Sequence, residues 1–147
     1  MSAATTAADR VRLLDIRPVP LSADEVLAAV ADPAAGGTTL FVGTVRDHDH
    51  DRPVTALAYE AHPDALARLR EVAERVAADP LVIALAAVHR TGQLVVGDTA
   101  VIVAVAAANR DAAFAASRRL IDELKADVPI WKHQRFSDGT TEWVGVC

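Results

Sequence analysis

"TAVIVAVAAANRDAAFAASRRLIDELKADVPIWKHQ", residues 99–134, runs from one strand through a capped helix into another, and its reading decides the fold. Thr99 to Ala107 is an uncharged apolar run, read as a strand. Asn109 or Asp111 then caps a helix that buries Phe114, Ser117, Ile121 and Leu124 on one side and shows Arg118, Arg119, Asp122 and Glu123 on the other. Pro129 forces Val128 to be extended and ends the helix near Lys125. Trp131 to Phe136, the turn Ser137 to Thr140, and Glu142 to Val146 complete a terminal hairpin.

Upstream, Val11 to Arg17 alternates as a strand does, and Pro18 and Pro20 end it. Ser22 and Glu25 have capping-box spacing, with Leu21 as a staple and Val26, Leu27 and Val30 as the buried stripe of a short helix. Thr38 to Val45 is β-branched and reads as a central strand, and Val54 to Glu60 follows closely enough to form a hairpin with it. Pro63 suits the first position of a helix burying Leu66, Leu69, Val72 and Val76, which Asp79-Pro80 stops. Leu81 to His89 is a further strand, joined to Thr99 by a segment in which Gly92 and Gly97 permit tight turns. The order β-α-β-β-α-β-β-α-β-β, with hairpins between helices, predicts an α+β fold with a mixed or mainly antiparallel sheet. Residues 1–10 are expected to form a disordered N-terminus, and residues 11–147 a single domain.

With 147 residues, 52% of them hydrophobic, the chain can bury a real core. A net charge of −5 and no basic run argue against broad nucleic-acid or membrane-surface binding. No apolar run reaches the roughly eighteen residues that spanning a bilayer needs. The one cysteine, Cys147, allows no intrachain disulfide, so a cytoplasmic location is expected.

Every cation but two is arginine, and the exceptions, Lys125 and Lys132, stand seven residues apart. A coding bias that favours Arg explains this without chemistry. The chemical alternative is that a desolvated ammonium can give up its proton, which a guanidinium does not. Lys125 in a last helical turn also complements the helix dipole with no further role. Arg46 and Arg110 each end an apolar strand, where forked donors suit a phosphate or carboxylate, or an ordinary ion pair. His48 and His50 invite a metal reading, but no second cluster supplies further ligands at a recognisable spacing, and solvated loop charge is the simpler account. No GxSxG, Walker loop, CxxC or dinucleotide fingerprint is present, and no cofactor or metal is expected.

Five segments in order, "FVGTVRDHD" (41–49), "YEAHPDA" (59–65), "HRTGQLVVGD" (89–98), "NRDAAF" (109–114) and "LKADVPIWKHQ" (124–134), resemble the large, catalytic subunit of molybdopterin synthase. The resemblance implies an α/β hammerhead-type fold with an antiparallel β subdomain. It also implies a homodimer that carries at each end a small sulfur-carrier subunit with a C-terminal Gly-Gly thiocarboxylate. Two sulfurs would pass from that tail to cyclic pyranopterin monophosphate, giving molybdopterin. By the same resemblance Lys125 and Lys132 match the catalytic lysines. Arg46 and Arg110 match arginines of the substrate pocket, with Phe41 packed beneath them. Asn109 stands where many members have His; it can hydrogen-bond substrate but cannot shuttle a proton. That departure leaves open a catalytically weak paralogue that binds the carrier without efficient turnover.

Overall fold

The computed structural model describes residues 5–145. Its elements are α1 (Ala7–Arg10), β1 (Val11–Arg17), α2 (Ala23–Ala29), β2 (Gly37–Thr44), β3 (His48–Asp49), β4 (Arg52–Ala61) and α3 (Ala65–Ala77), followed by β5 (Val82–Arg90), β6 (Gly92–Val95), β7 (Thr99–Ala107), α4 (Arg110–Asp127), β8 (Ile130–Phe136) and β9 (Thr141–Val144). A four-stranded sheet has the order β1-β5-β7-β2, with β1 parallel to β5 and the other neighbours antiparallel. In a smaller antiparallel sheet, β4 pairs with β8 on one side and with β3 and β6 on the other, and β9 extends beyond β8. This is the expected α/β hammerhead with an antiparallel subdomain.

The large sheet is covered on both faces, which is why β5 and β7 are apolar at nearly every position instead of alternating. Leu85, Ala87, Val101, Val103 and Val105 face α3 and α4. Ala84, Ala86, Val88, Ile102, Ala104 and Ala106 face Val26 of α2 and Val30 at its C-cap. Leu120 on α4 is fully buried, a contribution of about 2–3 kcal/mol from its side chain alone. Gly36 and Gly37 let β2 pass against the start of α4: a Cβ on Gly36 would lie 2.2 Å from the Ala108 carbonyl oxygen.

Several expectations need correction. Residues 7–10, read as part of a disordered end, form α1, closed by a capping box between Thr6 and Asp9. Arg10 Nη1 donates to the Ala77 carbonyl at 2.8 Å, which satisfies an open acceptor at the end of α3. Among the described residues β2 is an edge strand and not a central one, pairing with β7 alone, and no hairpin joins it to β4, because the chain crosses to the second sheet at residues 45–47. Leu27, Leu66 and Phe114 are exposed rather than buried. α3 starts after Asp64, so Pro63 precedes the helix. β6 occupies part of the segment read as turns, and α4 runs two residues past Lys125 to an extended Val128. Residues 1–4 of the expected disordered end, Val146 of the terminal hairpin, and Cys147 lie outside the described residues.

Candidate active site

Where the two sheets meet, a cavity of about 390 Å³ opens between β2, β3, β4, β8 and the last turns of α4. Arg46, Lys125 and Lys132 all line it. Although seven residues of extended chain span roughly 23 Å, the lysines come together because Val128 and Pro129 reverse the chain. Pro129 offers its carbonyl to the His62 N–H at 3.0 Å, and β8 returns antiparallel to β4 with Lys132 opposite Tyr59. Ile130, Lys132, Gln134 and Phe136 share one face of β8; the other three are buried and Lys132 is half-buried. Leu124 anchors the end of α4 in the core and leaves Lys125 exposed on the rim.

The cavity also contains groups to which sequence reasoning attached no function. His89 is the penultimate residue of β5, on the face that carries Leu85 and Ala87, and is 3% exposed. Its Nδ1–H donates to the Arg90 carbonyl at 2.8 Å, leaving Nε2 as the unprotonated nitrogen. Its ring meets Tyr59 edge-on at 4.8 Å. Burial pushes the imidazole down to about 4; the nearby Lys125 charge adds to this and the Arg90 carbonyl opposes it. His89 is therefore neutral at pH 7. Asp49 is the one carboxylate lining the cavity among the described residues, with its side chain 14% exposed. Gln134 Nε2 donates to its Oδ2 at 2.7 Å, and Arg46 Nη2 lies 3.5 Å from Oδ1. The Gln134 hydrogen bond, with smaller shares from His50, Lys132 and Arg46, holds this carboxyl below its usual range against the opposing effect of burial.

The remaining expected site residues do not join this cavity within one chain. Arg110 begins α4 and Lys125 lies near its end, which separates them by about 22 Å of helix rise. Asn109 is the helix N-cap, its Oδ1 accepting from the Ala112 N–H at 2.9 Å. Phe41 lines a separate apolar groove with Phe114, although Ile121 borders both spaces. His48 sits on the cavity rim, bonded to Asp47 at 2.8 Å, and His50 is at the exposed tip of the β3–β4 turn. Among the described residues, no three His, Cys, Asp or Glu side chains gather in a way that could hold a metal. No helix among them is long and apolar enough to cross a membrane.

The family model described as MoaE protein matches residues 16–127, more than half of the chain. The chain belongs to the MoaE family. One MoaE relative, the molybdopterin synthase catalytic subunit 1 of Mycobacterium tuberculosis, is 47% identical over 127 residues, covering 86% of each chain. The molybdopterin synthase catalytic subunit of a Nostoc species is 39% identical over 86% of this chain and 78% of its own. The crystal structure of molybdopterin synthase from Staphylococcus aureus superposes with a TM-score of 0.81 at 30% identity, over 88% of this chain and 95% of that one. The residues matched by the family model include Arg46, His89 and Lys125 of the cavity, and Lys132 lies five residues beyond their end.

Proposed function

We propose that this chain is the catalytic subunit of a molybdopterin synthase, a sulfurtransferase that moves two sulfurs from the C-terminal thiocarboxylate of a small carrier to cyclic pyranopterin monophosphate. The observation that carries the reading is the meeting of Lys125, Lys132 and Arg46 in one cavity, since each reactant brings a negative charge that fixed cations stabilise. Lys125, on the rim and beside a neutral imidazole, neutralises the thiocarboxylate and transfers protons as sulfur leaves the carrier. Lys132, deeper on β8, acts at the pterin or phosphate side. Arg46 offers a forked pair of donors to the cyclic phosphate.

The expected homodimer gives Arg110 a place in this scheme. The outer edge of β2 is unpaired among the described residues, and Leu40, Phe41 and Val42 on it are each about 40% exposed, beside Phe114 at 65%. An edge of this kind invites a strand from another chain. β2 runs from Gly37, against Arg110, to Thr44 at the cavity, about 24 Å away. Twofold antiparallel pairing of two β2 strands would therefore set Arg110 and Asn109 of the second copy beside Arg46 of the first. Phe41 and Phe114 would be covered by the same contact.

Incubating the protein with thiocarboxylated carrier and cyclic pyranopterin monophosphate tests the activity. Dithiolene product is expected; carrier binding with no product would instead support the weak-paralogue reading that Asn109 left open.

A further inference from the structure

Asp49 is out of place in a cavity proposed to receive anions. Its carboxylate lowers the affinity for any negative ligand, yet it is largely shielded from water, and Gln134, itself 2% exposed, spends its amide donor holding it. Gln134 also sits two residues from Lys132 on the same face of β8, so the hydrogen bond ties the β3 turn to the strand that presents that lysine. Arg46, Lys125 and Lys132 together hold three positive charges in a space of about 390 Å³, with His89 neutral. Three like charges around one cavity repel one another, and flexible side chains answer by turning out to water, as Arg46, with its side chain 66% exposed, and Lys125 on the rim already partly do.

We infer that Asp49, clamped by Gln134, is a positioning residue: its carboxylate is the built-in counter-ion that orients the Lys132 ammonium and the Arg46 guanidinium, 3.5 Å away, toward the cavity and leaves the cavity with two positive charges. That remainder matches the two singly charged groups, thiocarboxylate and cyclic phosphate, that the proposed reaction brings together, so the inference rests on that reading. A cavity with no carboxylate would grip anions more tightly in the ground state and the transition state alike, which adds nothing to turnover.

Asp49→Asn keeps the shape and a hydrogen bond to Gln134 but removes the charge. It is expected to bind a synthetic peptide ending in a Gly-Gly carboxylate several-fold more tightly while kcat falls about tenfold or more, because the cations lose their alignment. Adding Gln134→Glu to Asp49→Asn exchanges carboxylate and carboxamide across the same hydrogen bond and restores the net charge. This double variant should return both quantities to within about threefold of the parent, a rescue that a loss of structure would not show. The inference is overturned if Asp49→Asn leaves peptide affinity and kcat unchanged, or if the double variant is no better than the single one. Peptide affinity is read without turnover. A parent protein that makes no product therefore counts against the proposed reaction, and the peptide measurement still decides the role of Asp49.

Discussion

His89 is a neutral imidazole enclosed at the floor of a cationic cavity, and its enclosure makes stability depend on pH. Its folded-state value of about 4 lies below the value of about 6.5 expected in the unfolded chain. Between those values the unfolded chain binds the extra proton, so the stability His89 contributes is complete above pH 6.5 and is lost as pH falls toward 4. Chemical denaturation should find the protein about 2 kcal/mol less stable at pH 5 than at pH 7 from this group, and His89→Gln should remove that part of the slope. An equal slope in the variant would assign the loss to other groups. His89 was legible only in part. It continues the buried parity of Leu85 and Ala87, which marks it as enclosed, but nothing local says that Lys125 will arrive above it. The lysines were easier to see, because two departures from arginine within eight residues are visible without any fold. Asp49 and Gln134 left no trace in the sequence, being 85 residues apart in the chain and joined only by the pairing of β3 and β8 with β4.

At the level of elements, β7 and α4 were readable because each cue pointed the same way: an unbroken apolar run, an Asn at the cap and a Pro past the end. β2 misled because a β-branched strand with an exposed apolar edge has the same composition as one buried in a sheet. Phe114 misled for the same reason, falling in the helical stripe with Ser117, Ile121 and Leu124 while the start of α4 overhangs the edge strand. β6 was hidden because Gly92, read as a turn, in fact begins a short strand and Gly97 follows two residues after its end, both with positive φ. Asn109 now has a structural role as the cap of α4. Replacing it with Ala should cost about 1 kcal/mol of stability by thermal or urea unfolding, and replacing it with Asp very little. If Asn109→Ala is as stable as the parent but slower in turnover, substrate contact and not capping explains the residue.

Across the whole molecule, the fold divides the labour between its two sheets. The large sheet, packed on both faces, fixes β2, β5 and α4, while the small sheet carries Lys132 and Gln134 up to them. A composite site built by β2 pairing makes a prediction that no single-chain site shares. Lys125→Ala and Arg110→Ala should each be inactive alone. When mixed and allowed to exchange subunits, half the dimers are hybrids with one intact site, so about a quarter of parental activity should return. No recovery, with exchange verified by mass, would place Arg110 outside the partner's cavity.

An amine at the cavity rim is proposed to move a proton during sulfur transfer, and Lys125→Arg tests this most directly because it keeps the charge but replaces an ammonium that can give up its proton with a guanidinium that does not. Single-turnover formation of dithiolene from thiocarboxylated carrier should slow by about a hundredfold or more in this variant, with carrier affinity retained. A rate equal to that of the parent would contradict proton transfer by this side chain and reduce Lys125 to a fixed charge.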